Sequence, residues 1–146
     1  ASLIARIKNT RTPFSIDFGV GDVIVPEQEK RQIPTQLENF PAPTVNTYSL
    51  ETTVAEKIDA ILSLMEFSSR MKDYYDIYYL ANRFDFDGAT LTEALKRTFA
   101  NRGHSFTATQ FAQVIEFADD AAMQKKWKAL PMPLIINICV PIRDRH

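Results

Sequence analysis

The sequence predicts an α+β chain: a short strand section at the N-terminus, then a bundle of α-helices. Three observations carry this. Residues 13–20, PFSIDFGV, alternate apolar and polar side chains with the period of two that a strand imposes. Residues 49–80 place apolar side chains three and four apart, the spacing of two successive helices. Later, Thr107 with Gln110 spells a capping box ahead of another helical pattern. The change of character falls near residue 48, so 1–48 reads as the sheet section and 49–146 as the helical section of one compact unit.

Residues 1–12 open with Leu3, Ile4 and Ile7 at helical spacing, and Asn9 to Thr12 read as a turn. In the strand that follows, Phe14, Ile16, Phe18 and Val20 share one face, and Asp17 projects from the other. Gly19 and Gly21 permit a tight exit. Four prolines punctuate residues 22–48. There Val23–Val25 and Thr44–Tyr48 read as short strands, and the charged run Glu27–Arg31 as a solvated loop.

Ser49 is the expected N-cap of the first helix, with Glu51 in its first turn, where the helix dipole favours negative charge. Leu50, Val54, Ile58, Ile61, Leu62 and Met65 form the inner stripe. Lys57 projects about 40° from Ile61, at the margin of that stripe, while Glu56 and Asp59 point away from it. Ser68 or Ser69 is expected to cap the second helix. In that helix Asp73, Asp76, Ile77 and Leu80 share a face, so the two carboxylates are not freely solvated and need a partner. The tyrosines Tyr74, Tyr75, Tyr78 and Tyr79 cover its flanks as packing groups, their hydroxyls finding partners at the core edge.

Farther on, Thr90 with Glu93 suggests a capped helix over 91–101, and Thr107 with Gln110 one reaching about Ala118. Asp119 or Asp120 caps a last helix to about Leu130, in which Met123 packs on Trp127. Lys125, Lys126 and Lys128 lie on its wet face, where a phosphate backbone is the less favoured partner. Residues 131–142, PMPLIINICVPI, lean towards a short helix against their β-branched density.

Composition narrows the function classes. The chain of 146 residues is 45% hydrophobic and 24% charged, as globular domains are. Its net charge of −1 gives no overall attraction to nucleic acid or membranes. The lone Cys139 rules out an internal disulfide and suits a reducing cytoplasm. His104 and His146 show no ligand spacing, and no apolar run approaches the roughly 20 residues that span a bilayer.

The chemistry-bearing residues are therefore Lys57, Asp73, Asp76 and Asp17. Each has two readings. Lys57 is either a stem laid along the core or a cation aimed into a cleft, where a compact ammonium suits phosphate. Asp73 and Asp76 either serve the dipole and pair with Arg70, Lys72 or a neighbouring helix, or act in a site. Asp17 is either solvated or a metal-binding or basic carboxylate on a rigid strand.

The ordered pair Ala55-Glu56-Lys57…Ala60-Ile61 and Arg70-x-Lys72-Asp73-Tyr74-x-Asp76-Ile77 resembles the signature of the AbiEii/AbiGii-type nucleotidyltransferase toxins. Across about residues 13–130 the resemblance implies a partial nucleotidyltransferase sheet followed by helices. The implied enzyme is Mg²⁺-dependent and belongs to a toxin–antitoxin or phage abortive-infection pair. It moves a nucleotide from an NTP to an acceptor such as tRNA or another RNA. By that likeness Lys57 contacts the NTP, Asp73 is a catalytic position in the same cleft, and Asp17 holds Mg²⁺ or acts as base. Glu56, Lys72 and Asp76 would be structural or supporting. The implied partners are a cognate antitoxin and, through an exposed sheet edge, a second copy; no membrane is implied. The Gly-Ser…D-x-D segment that opens the family pattern ahead of this strand is not found. The chain then reads as the truncated C-terminal part of such an enzyme, inactive or nearly so alone. The alternative is a non-catalytic interaction domain in which Lys57, Asp73 and Asp76 form a buried polar network.

Overall fold

A computed structural model describes residues 1–16, 21–35, 39–67 and 70–130. Asp17 and residues 131–142 lie outside them, with the expectations placed there, as do Ser68 and Ser69; the second helix nevertheless has Arg70 at its N-cap, without a side-chain capping bond, so the expected serine cap is overturned.

Strands β1 (Ser2–Ile7) and β2 (Thr10–Ser15) pair antiparallel, with Leu3 opposite Phe14 and Ile7 opposite Thr10. The two-residue loop puts Lys8 at φ 54. The helical spacing expected for residues 1–12 is thus overturned. Six residues are too few to offset helix nucleation, whereas a tight turn at Asn9 lets the segment satisfy its backbone by pairing. The predicted strand begins at Thr10 rather than Pro13, and its apolar face is not buried: Phe14 is 45% and Ile16 39% exposed.

Strands β3 (Glu29–Gln32) and β4 (Thr44–Thr47) form a second antiparallel pair with Arg31 opposite Val45. The run expected as a loop is therefore partly a strand, and Val23–Val25 is not one. The second sheet has only two strands, so most side chains of both remain wet and charged residues are tolerated there.

Helix α1 (Leu50–Leu64) is the centre of the molecule and packs against α2 (Met71–Arg83), α3 (Gly88–Arg102) and α4 (Ala108–Glu116). Ser49 caps α1 as expected, accepting from Thr52 N–H at 3.1 Å. Helix α3 starts three residues earlier than the expected 91, at Gly88. Asp87 is the cap, and Thr90 gives it both its N–H, at 2.8 Å, and its hydroxyl, at 2.6 Å. Asp is as good a cap as Thr, and Gly88 costs little in the first turn, so the earlier start wins. Helix α4 has the predicted Thr107–Gln110 capping box. Helix α5 (Ala121–Lys128) is capped by Asp120 and stops short of Leu130.

Ala55 is fully buried and Ala94 1% exposed; their small side chains let α1 and α3 approach closely, with Val25 packed between them. Val25 is tied to α1 through its backbone. Its N–H donates to Thr52 Oγ1 at 2.8 Å, and its carbonyl accepts from Thr52 Oγ1 at 3.1 Å and from Ser49 Oγ. The connection between the strands is thereby fastened to the helix that carries Lys57. No helix among the described residues is long and apolar enough to cross a membrane.

Candidate functional site

Lys57 sits in the second turn of α1, and α2 packs beside it. Because Asp73 and Asp76 are three apart, both reach the same ammonium. Lys57 Nζ donates to Asp76 Oδ2 at 2.6 Å and to Asp73 Oδ1 at 3.2 Å. Arg70 Nε lies 2.6 Å from Asp73 Oδ2. The lysine side chain is 20% exposed and those of Asp73 and Asp76 5% and 16%, so water screens these pairs weakly. Lys57 on α1 and Asp73 and Asp76 on α2, which sequence reasoning singled out on separate helices, thus form one cluster. Lys72 is exposed and lies outside the cleft lining.

The opposite flank of α1 departs from expectation. Glu56 and Asp59 do not point into water. Asp59 is 1% exposed: His104 Nδ1 donates to its Oδ1 at 2.8 Å, and Arg102 Nη1 lies 3.6 Å from its Oδ2. Ser63 Oγ lies 3.3 Å from the same histidine nitrogen. Arg102 also pairs with Glu56. Burial pushes the Glu56 carboxyl above its ordinary pKa, and the neighbouring Arg102 offsets part of that. The apolar stripe underestimates the buried arc because α1 is covered by three helices, not one.

Between these two clusters lies a cleft of about 250 Å³, lined among others by Tyr48, Thr53, Lys57, Arg70, Asp73 and Arg102. Tyr48 donates to Asp22 Oδ2 at 2.5 Å; that bond, aided by burial, pushes its phenol up to about 12. Sequence reasoning missed Tyr48, Asp59, Arg102 and His104. Arg102 carried one weak signal, a cation in the last turn before Gly103, which caps α3 at φ 68.

The described residues do not form a cation site. No group of three potential metal ligands occurs among them, and both Asp73 oxygens already face protein cations. The metal assignment rested on Asp17, outside the described residues. The one D-x-D the chain does spell, Asp85 with Asp87, lies in the connection from α2 to α3, where Asp87 serves as a helix cap.

The paired Lys57 and Asp73 motifs are thus one physical cluster, and residues 2–136 match a protein family described as nucleotidyl transferase AbiEii toxin, Type IV TA system. The chain belongs to the AbiEii family. The match extends on both sides of the 13–130 stretch that carries the sequence resemblance, and takes in the β1–β2 hairpin. No curated protein and no solved structure matches the chain. Membership gives the cluster its context: a nucleotidyltransferase toxin, with an antitoxin and a nucleotide as the general partners of such a system.

Proposed function

We propose that the cleft beside Lys57 receives the triphosphate of an NTP in a Mg²⁺-dependent nucleotidyltransferase toxin that modifies an RNA such as tRNA. The observation that supports this most directly is the Lys57 ammonium, held by Asp73 and Asp76 at the edge of a cleft that Arg70 and Arg102 also line. Three cations converge there, and partly desolvated cations are what phosphoryl chemistry requires. Four carboxylates, Glu56, Asp59, Asp73 and Asp76, already pair with them. An arriving phosphate therefore has to displace a carboxylate or bring its own counter-ion. In this reading Lys57 binds phosphate, Asp73 is a catalytic position in the same cleft and Asp76 holds the lysine in place, while Asp17 keeps the metal role that the family pattern suggests. The protein works in the cytoplasm beside a cognate antitoxin, and the open edges of the exposed β1–β2 hairpin are where a second copy would add.

One observation favours a second reading, an interaction domain whose polar cluster is structural. Every charged group around Lys57 has a partner within the chain.

Acylation footprinting separates the two. With Mg²⁺ and each of the four ribonucleoside triphosphates in turn, the labelling rate of Lys57 is compared with that of exposed Lys72 by mass spectrometry. Nucleotide binding predicts at least fivefold protection of Lys57 by one or more triphosphates, with Lys72 unchanged. Equal labelling of Lys57 at millimolar nucleotide would leave the structural reading.

A further inference from the structure

Thr53, Glu56, Lys57 and Ala60 line the cleft at i, i+3, i+4 and i+7, so its floor is one stripe of α1. Its volume of about 250 Å³ falls below the roughly 300 Å³ of the smallest pockets that enclose a small molecule. Phosphates fit there, and the nucleoside that carries them has to lie at the rim. Tyr48 stands on that rim, 39% exposed, and is the one aromatic among the described residues that line the cleft. It precedes the Ser49 cap, and Lys57 lies about 10 Å farther along the axis from the start of α1, a span that a ribose and its first phosphates bridge. The ring is also held in place. Its hydroxyl donates to Asp22 Oδ2 at 2.5 Å. The Asp22 loop is fastened in turn, since Asn101 Nδ2 donates to the Gly21 carbonyl at 2.9 Å and Ser49 Oγ to the Val25 carbonyl. A ring fixed in this way offers a flat face with little rotamer freedom left to lose on binding.

We propose that the Tyr48 ring is the platform on which the nucleobase of the bound nucleotide stacks, while its phosphates meet Lys57. The inference rests on the cleft being a triphosphate site and adds how the rest of the ligand is recognised. Stacking requires only a π-face, so the platform accepts every base, and purines, which overlap the ring most, bind most tightly. One stacked base contributes on the order of fivefold to a hundredfold in affinity.

Isothermal titration calorimetry on the full chain compares Mg²⁺-ATP with Mg²⁺-tripolyphosphate, which carries the phosphates without a base. The proposal expects the unaltered chain to bind ATP at least fivefold more tightly than tripolyphosphate. Tyr48→Leu should abolish that preference while its affinity for tripolyphosphate stays within twofold. Tyr48→Phe should keep most of the preference, because the ring survives the loss of the hydroxyl. ATP binding no more tightly than tripolyphosphate in the unaltered chain would overturn the proposal and leave the phosphate site standing, and this comparison needs no variant to fold. A preference that Tyr48→Leu retains would overturn it by placing the base elsewhere. Equal weakening of both ligands in Tyr48→Leu would overturn it by assigning Tyr48 to the shape of the cleft. Loss of the preference in both variants would overturn it in favour of the hydroxyl. Binding of neither ligand to the unaltered chain would overturn the triphosphate reading, and this inference with it.

Discussion

Asp59, in the middle of α1, accepts from His104, forty-five residues later, at 2.8 Å. The carboxylate is almost wholly buried and its second oxygen faces Arg102. One buried charge thus holds the end of α3 and the residue after its cap against the helix that carries Lys57. Asp59→Ala is expected to destabilise the protein by about 2 kcal/mol, the worth of a charge-assisted bond in a site water does not reach. In a domain of this size that lowers Tm by roughly 5 °C. A melting curve within 1 °C of the wild type would show that the pair contributes nothing.

Lys57 is the hub of a four-charge cluster with Asp73, Asp76 and Arg70, and its removal leaves Asp76 without this cation beside Asp73, with little water. Lys57→Met alone should cost about 3 kcal/mol. Adding Asp76→Leu should recover more than half of that, because the repulsion disappears with the second charge. Urea denaturation of the two single variants and the double variant gives the coupling energy. Additive costs would mean that the 2.6 Å pair carries no net interaction.

Tyr48 links the cleft to Asp22, and its phenol is pushed up to about 12 from the ordinary value of 10.0. A folded-state pKa above the unfolded one means that this contribution to stability is complete below pH 10 and is lost as pH rises through 12. Absorbance titration at alkaline pH should show Tyr48 and the buried Tyr74 ionising late, and Asp22→Ala should return one of the two, Tyr48, towards the others. Identical wild-type and variant titration curves would refute the assignment of the shift to Asp22.

Thr52 accepts from the Val25 N–H and donates to the Val25 carbonyl. Thr52→Val keeps the shape but strands a buried N–H, so a loss of about 1–3 kcal/mol is expected. Hydrogen exchange at the Val25 amide should accelerate in parallel. If exchange is unchanged, this tie does not anchor the loop to α1.

Residues 1–146 by themselves should incorporate no labelled NTP into total tRNA above a Lys57→Ala background, because residues 1–16 do not spell a Gly-Ser…D-x-D motif. Incorporation above that background would place the catalytic carboxylates within this chain.

The elements that local chemistry encodes were legible in the sequence. The caps at Ser49 and Thr107, Asp120 as one of two offered caps, the presence of two helices beginning at Leu50 and near residue 70, and the Lys57, Asp73 and Asp76 motif positions depend on neighbours within four residues, and those spacings are written in the chain. The family, too, was readable from two short motifs in order. Tertiary structure alone decided that Lys57 meets Asp73 and Asp76 in one cluster, and that Asp59 turns inward to His104 and Arg102. It also decided that the charged run at Glu29 pairs as a strand and that Phe14 stays exposed. A helical wheel ranks faces by apolarity, but burial is set by how many neighbours a helix has. The three helices packed around α1 bury polar positions that its own stripe assigns to water.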